Sequence, residues 1–133
     1  MIKEQIALIR GNFAKVAPIA PQAAELFYGR LFELDPSLRP LFKGDMKEQG
    51  RKLMAMIATA VANLDNLAAV VPAVQALGAR HVGYGVQAAH YTTVGTALLW
   101  TLEQGLGEDF TPACHAAWAE MYGTIAAVMQ QAV

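Results

Sequence analysis

One histidine stands out among the residues of this 133-residue chain that could carry chemistry. His81 lies in the apolar helical stretch "LGARHVGYGV", four residues after Leu77. If the helix frays locally, a ring nitrogen can donate a hydrogen bond to the Leu77 carbonyl at this spacing, and the other nitrogen is then left basic, as in metal-binding histidines. A histidine on an apolar helix face is more often a core or surface residue with a hydrogen-bond partner. His81 is therefore a candidate metal ligand, and the ordinary interpretation stays open.

The surroundings of His81 disfavour a zinc site. Zinc takes three or four nitrogen, sulfur or oxygen ligands, and no histidines, cysteines or carboxylates cluster around His81 in the sequence. The other two histidines, His90 and His115, are expected to be ordinary core or surface residues. A single imidazole is sufficient only if another group supplies the remaining ligands of the metal.

The composition limits the classes of protein to consider. Hydrophobic residues make up 55% of the chain and charged residues 16%, so apolar surface has to be buried against more protein, a partner or a flat apolar ligand. No stretch approaches the ~20 apolar residues of a transmembrane helix, and no signal peptide is predicted. The single Cys114 fits a reducing compartment, so a cytoplasmic location is expected. A net charge of −1 without a continuous basic block makes nucleic acid an unexpected partner.

Prolines and glycines divide the chain into helices, and no alternating strand pattern is present. We predict one all-α domain over residues 1–133, in which six or so helices are separated at "VAPIAP", "LDPSLRP", "GYG" and "GLG". The third helix is predicted over roughly Lys47 to Asp65, and Pro72 opens the next one. Thr111 is expected to cap the last helix, with Pro112 in its first turn.

Three glycines fall inside the predicted helices and are expected to mark close helix crossings. A glycine within a helix costs stability relative to alanine, so its presence suggests that a neighbouring helix needs the space. The three residues are Gly29, Gly95 and Gly123.

A porphyrin would supply the missing ligands of a metal on His81 and would also cover the surplus apolar surface. The opposite side of such a cofactor should offer apolar walls and one or two polar groups. Tyr28 adjoins Phe27 in "ELFYGRLF", Gln49 precedes Leu53 by one helical turn, and Phe42 lies just outside a helix. Each also has an ordinary interpretation. Tyr28 could be a tyrosine at a helix interface whose hydroxyl reaches solvent, and Gln49 could be a solvated glutamine in the first turn of a helix.

Taken together, these residues and their order resemble the globin family. The resemblance rests on "LFYGRLF", "DPSLRPLF", "EQGRKLM", "ARHVGYGV" and "AAHYTTVG", and it covers the whole chain. It is strongest to the bacterial single-domain haemoglobins and the haem domain of flavohaemoglobins. The resemblance implies a globin fold of about six to seven helices packed around a haem pocket.

The resemblance also implies a role for individual residues. His81 resembles the proximal histidine that ligates the iron of haem b, and Tyr28 and Gln49 resemble the distal pair that contacts bound dioxygen. Lys52 is the expected partner of a haem propionate, and Arg80 is expected near the haem edge. The residues expected to contact the cofactor are Phe42, Lys52, Leu53, Leu77, Arg80, Tyr91 and Val94.

Reversible binding of oxygen, for storage or delivery, is the function that this resemblance favours, with other diatomic gases as further ligands. The alternative is a nitric oxide dioxygenase that works with a separate reductase, and a helical interaction module without haem is a third hypothesis. No flavin- or nicotinamide-binding segment is expected, since "GYG" and "GLG" lack the strand–turn–helix setting of a phosphate-binding loop. The family places a glutamate late in the last helix, where it hydrogen-bonds the proximal histidine. In this chain the matching position falls at about Val133, so the glutamate is absent. These departures favour an oxygen-binding protein over an enzyme.

Overall fold

The computed structural model describes residues 1–42, 44–83 and 85–131, and every regular element within these ranges is helical. The prediction of an all-α fold is therefore confirmed. Short 3-10 helices connect several of the α-helices, at Ala17–Ile19, Pro36–Leu41, Leu67–Val70 and Gly107–Asp109. The six α-helices are α1 (Lys3–Val16), α2 (Ala20–Leu34), α3 (Met46–Ala62), α4 (Val71–Gly83), α5 (Ala88–Leu106) and α6 (Pro112–Gln131).

Side-chain caps fix several of the helix ends. The Asp45 carboxylate accepts a hydrogen bond from the Lys47 amide at 2.9 Å, which caps α3. The Thr111 hydroxyl accepts one from the Cys114 amide at 3.2 Å, as expected for the cap of α6. These bonds satisfy amide groups that have no partner within the first turn of a helix.

Helix α3 ends at Ala62, earlier than the predicted end near Asp65. The guanidinium of Arg10 donates to the carbonyls of Val61 and Ala62 at 3.2 and 3.1 Å. A cation at the last carbonyls of a helix stabilises that end electrostatically. The partner of these carbonyls comes from α1, so the local sequence of α3 could not indicate where the helix ends.

The core forms where α2 packs against α3 and α5 and where α1 packs against α6. Its largest fully buried side chains are Trp118, Ile9, Leu31 and Met121. The Trp118 indole donates a hydrogen bond to the buried Asn12 side chain at 3.1 Å. This pair is a satisfied polar contact inside an apolar core, as buried polar groups require.

The glycine predictions are partly wrong. Gly95 does mark a close crossing, since a β-carbon there would lie 2.8 Å from the Tyr122 ring. Gly29 and Gly123 do not, because they are exposed and no atom of another element lies within 4 Å of such a β-carbon. A glycine inside a helix shows where a crossing is allowed, but the face it occupies decides whether a crossing forms there.

Two glycines that were not singled out lie at the tightest contacts. A β-carbon at Gly50 would lie 2.9 Å from the β-carbon of Ala24, where α3 meets α2. A β-carbon at Gly78 would lie 2.3 Å from the main-chain oxygen of Met129, where α4 meets α6. Gly78 precedes His81 by three residues, so this crossing determines where the candidate ligand stands.

Helices α3 and α4 are held by different neighbours. Within the described ranges α4 packs mainly against α6 and the 3-10 helix Leu67–Val70, whereas α3 packs mainly against α2 and α1. The helix of His81 and the helix of Gln49 therefore take their positions from different parts of the fold. No helix in these ranges is both long and apolar enough to cross a membrane.

Candidate functional site

His81 is half-buried on α4, and its Nδ1 atom lies 2.8 Å from the Leu77 carbonyl oxygen. A carbonyl only accepts, so Nδ1 carries the hydrogen of this bond, and Nε2 is the atom that a metal would take. The predicted pairing with Leu77 is confirmed. The expected local fraying is wrong, since α4 stays helical through Gly83 and the bond forms along an intact helix.

Burial lowers the pKa of the His81 imidazole, the Leu77 hydrogen bond opposes this effect, and the positive charge of Arg80 lowers the pKa further. The balance favours the neutral ring, which is the form that binds a metal ion. The end of α4 is also fixed, because the Val86 amide donates to the His81 carbonyl at 3.0 Å. The neutral form of the ring is therefore favoured, and the Leu77 carbonyl fixes its orientation. The hydrogen bond from Val86 holds the end of the helix on which it lies.

Tyr28 is buried on α2 within a cluster of aromatic rings. Its ring meets the edges of Phe27 and Phe42 at centroid distances of 5.0 and 5.3 Å and stacks on Phe32 at 6.1 Å. Phe32 was missed by the sequence analysis, although its spacing of four residues from Tyr28 could have indicated it. Burial raises the pKa of the Tyr28 hydroxyl to about 12, so the group stays a neutral hydrogen-bond donor.

Tyr28 and Gln49, the two residues that resemble the distal pair, are adjacent through a contact that was not predicted. The Tyr28 hydroxyl donates to the main-chain carbonyl of Gln49 at 3.3 Å, which joins α2 to the first turn of α3. The interpretation in which this hydroxyl points into solvent does not describe the structure. A distance of 3.3 Å is long for a hydroxyl donor, so the bond is weak and easily exchanged for another acceptor.

Apolar side chains continue the wall on α3. Leu53 is half-buried, one turn after Gln49. Together with Phe27 and Ile57 it lines a cavity of about 20 Å³ that has an apolar lining. The surroundings of Leu53 are therefore apolar, and the neutral donor, the Tyr28 hydroxyl, lies on the neighbouring helix α2.

The other predicted contact residues lie on α3, α4 and α5. Leu77 and Val94 are half-buried, and Val94 packs against the core. Lys52 and Arg80 are exposed and take part in none of the ion pairs found among the described residues. Val133, where a glutamate is expected in the family, lies outside the described residues.

Tyr91 is half-buried in the first turn of α5, and burial raises the pKa of its hydroxyl. Its main-chain carbonyl accepts a hydrogen bond from the Tyr122 hydroxyl at 2.7 Å, which ties α5 to α6. The sequence analysis did not single out Tyr122. No local signal could have shown its polar contact, because the partner lies on another helix.

The donor chemistry of these residues fits a haem. An imidazole held by the Leu77 carbonyl lies on α4, Val94 on α5 is half-buried and apolar, and an aromatic and aliphatic cluster with a neutral donor lies on α2 and α3. A porphyrin needs this combination, since it brings its own nitrogen ligands and requires apolar cover on both faces. Lys52 and Arg80 are exposed cations suited to the two carboxylates of such a cofactor.

Comparison with known proteins supports the same interpretation. The Globin family model matches residues 25–129. The chain is 30% identical over 131 residues to a flavohemoprotein of Vibrio cholerae and 33% identical over 128 residues to one of Xylella fastidiosa. These matches cover 96% and 94% of this chain but 33% and 32% of the relatives, so the chain spans about a third of their length.

A solved structure is also similar over nearly the whole chain. It is a bacterial globin from Campylobacter jejuni, with a TM-score of 0.86 and 29% sequence identity. The match covers 98% of this chain and 95% of that chain. The arrangement of helices described above is therefore shared with a solved globin.

Proposed function

Since the chain belongs to the globin family and is a haem-binding globin, we propose that it holds haem b through His81 and binds oxygen reversibly. The observation that carries this proposal is the buried, neutral Tyr28 hydroxyl, which donates to the Gln49 carbonyl where α2 meets the first turn of α3. We further propose a cytoplasmic protein whose haem is kept reduced by a separate reductase. Haem iron on a single imidazole supplies an open position for a diatomic gas.

Each of the predicted site residues has a part in the proposed function. The Nε2 atom of His81 is the proposed iron ligand, and the Leu77 carbonyl keeps the imidazole in one orientation. Phe42 and Leu53 cover the cofactor and keep water away from the gas. Lys52 and Arg80, both exposed cations, are the proposed partners of the propionates.

Tyr28 is the proposed donor to oxygen held in the pocket. Its hydrogen bond to the Gln49 carbonyl is long, so the hydroxyl can turn from this acceptor to the gas. Gln49 is half-buried, and its side-chain amide is the proposed second donor. A donor inside an apolar pocket acts more strongly than in water, because no solvent competes for it.

Replacing Tyr28 with phenylalanine should speed the dissociation of oxygen about 10- to 100-fold, since a hydrogen bond to a partly charged acceptor contributes roughly 1.5–3 kcal/mol. Phenylalanine keeps the ring packing on Phe27 and Phe42, so the fold should persist. Gln49→Leu is expected to have a smaller effect, because the contact of Tyr28 is with the main chain of Gln49. Stopped-flow measurement of oxygen release tests both variants, and unchanged rates in both would exclude this pair from oxygen binding.

The pH dependence of oxygen release tests the protonation of Tyr28 separately. Because burial raises the pKa of Tyr28 to about 12, the hydroxyl stays protonated as the pH rises from about 7 to about 10. The dissociation rate of oxygen should therefore stay constant over this range. A tyrosine with an ordinary pKa of about 10 would be half-ionised at its upper end, and the rate would rise. A rise of that kind, absent in Tyr28→Phe, would contradict the buried neutral donor.

Spectroscopy of the purified protein distinguishes the three functional hypotheses. A Soret band that shifts reversibly with oxygen after anaerobic reduction supports the proposal, and a colourless protein supports an interaction module.

Nitric oxide added to the oxygenated protein tests the dioxygenase alternative, in which oxygen, nitric oxide and one electron give nitrate. We expect one turnover and then a stop until a reductase is supplied. Rapid multiple turnovers with a generic cellular reductase would favour the enzyme.

A further inference from the structure

The positive charges of the chain are concentrated in one short segment. Residues 39–52 contain five of the ten lysines and arginines, against two carboxylates, Asp45 and Glu48, so the segment has a net charge of +3. The whole chain has a net charge of −1, so the remaining residues together carry −4. Although the cations form no continuous run, they make one positive region on an otherwise acidic protein.

The cations of this segment that the structure describes are exposed to solvent. We call Arg39, Lys47, Arg51 and Lys52 the basic rim. Among the ion pairs of the described residues, only the one between Arg51 and Glu48 involves the basic rim. The other carboxylate of the segment, Asp45, caps α3. Most of the positive charge therefore faces solvent without a neutralising neighbour.

A chain of contacts connects the basic rim to the candidate haem pocket. The Arg39 guanidinium lies 5.2 Å from the centre of the Phe32 ring, and Phe32 lies 5.5 Å from Phe42. Phe42 contacts Tyr28 at 5.3 Å, and the Tyr28 hydroxyl reaches the carbonyl of Gln49, which lies two or three residues from each of the three rim cations on α3. The basic rim is thus next to the residues that carry the candidate distal side, Tyr28 and Phe42.

We propose that the basic rim docks the acidic face of an electron-carrying protein that reduces the haem. The inference rests on the proposed function, because only a haem protein needs its iron returned to the ferrous state. One electron passes from the partner to ferric iron, the partner is oxidised by one electron, and no bond forms or breaks. Complementary charge mainly accelerates such encounters, and redox complexes need only small interfaces.

An acidic protein fits the charge distribution better than a membrane does. A membrane presents a broad negative surface, which attracts the basic rim but repels the rest of the chain with its charge of −4. A compact acidic patch on a protein contacts the basic rim alone. The contacts that join Arg39 to Phe42 and Tyr28 also favour a redox partner, because a protein docked there would lie next to residues proposed to cover the haem.

Two charge reversals with the same change in net charge test the proposal. Lys47 and Lys3 are both exposed, both lie in the first turn of a helix, and neither belongs to the ion pairs found among the described residues. A glutamate in a first turn is favourable for the helix, so Lys47→Glu and Lys3→Glu should both fold. The probe is a reduced flavodoxin, a small acidic flavoprotein, mixed with the ferric haem-loaded protein in a stopped-flow instrument.

We expect Lys47→Glu to slow reduction by flavodoxin about tenfold at low ionic strength, and Lys3→Glu to slow it less than about twofold. In about 1 M salt the difference should vanish, because charges are then screened within about 3 Å. The Soret spectrum and the rate of oxygen release should be unchanged in Lys47→Glu, which separates docking from damage to the pocket.

Equal slowing by the two variants, or no slowing by Lys47→Glu, would overturn the proposal. Sedimentation with phosphatidylcholine vesicles containing about a third phosphatidylserine tests the membrane alternative. Lys47-dependent vesicle binding together with unchanged flavodoxin kinetics would also overturn the proposal. Failure of the proposed function is visible earlier, because a protein without a Soret band or without reversible oxygen binding fails before any donor is added. That result would remove the docking inference as well.

Discussion

The His81→Ala variant should lose its iron–imidazole bond and retain haem poorly. His81 is the proposed iron ligand from the chain, and its neutral ring is held in position by the Leu77 carbonyl. A ligand that binds only the folded state stabilises it in proportion to its affinity, so weaker haem binding also lowers the stability of the holoprotein. Haem should raise the unfolding temperature of the wild-type protein and should have little effect on His81→Ala. Thermal unfolding with and without haem, together with the ferrous absorption spectrum, measures both effects.

His115→Ala is the matched control, because it removes an imidazole from an exposed position on α6. Added imidazole should partly restore the ferrous spectrum of His81→Ala and should have no effect on the control. His90 has a different role, since its Nδ1 atom accepts a hydrogen bond from the Gln87 amide at 3.0 Å at the start of α5. An unchanged ferrous spectrum and full haem retention in His81→Ala would show that the ligand assignment is wrong.

The features that could be predicted from the sequence are those determined by local spacing. The helices follow from apolar periodicity and prolines, because the helical period of 3.6 residues leaves its mark within a few turns. The hydrogen bond between His81 and Leu77 joins residues one turn apart, and the Thr111 cap joins residues three apart. In each case both partners belong to the same helix or its first turn.

The features that were missed depend on which helices cross. The Tyr122 hydroxyl meets the Tyr91 carbonyl across α5 and α6, and Tyr28 meets the main chain of Gln49 rather than its amide. Nothing in the sequence of one helix specifies the atom that a side chain from another helix will reach. The resemblance to globins indicated the residues of the pocket, but only the structure gave the atoms through which they touch.

Gly78 shows most clearly how a distant contact positions the candidate ligand, and its replacement by alanine is expected to have a large effect. Gly78 is buried on α4, where an added β-carbon would lie 2.3 Å from the oxygen and 2.7 Å from the α-carbon of Met129. Both are main-chain atoms of α6, so no change of rotamer can relieve the clash. Ordinary contacts begin at about 3.4 Å, so α4 and α6 have to move apart by roughly 1 Å.

Overpacking of this kind costs about 1–3 kcal/mol, so Gly78→Ala should unfold at a temperature lower by about 5–15 °C. Gly123→Ala is the control, because Gly123 is an exposed helical glycine with no atom of another element within 4 Å of an added β-carbon. There alanine should be neutral or stabilising by about 0.5–1 kcal/mol. Equal stability of the two variants would contradict the tight crossing.

The same displacement should reach the haem iron, because His81 follows Gly78 by three residues on the same helix. α4 packs mainly against α6 and the 3-10 helix Leu67–Val70, so few other contacts hold His81 in place when the crossing opens. The iron–histidine stretching frequency of the ferrous protein should therefore shift in Gly78→Ala and stay constant in Gly123→Ala. Truncating the Met129 side chain should not reverse the shift, since the clash is with the main chain. A variant that is destabilised but keeps the wild-type stretching frequency would limit Gly78 to packing and would show that α4 positions His81 by other contacts.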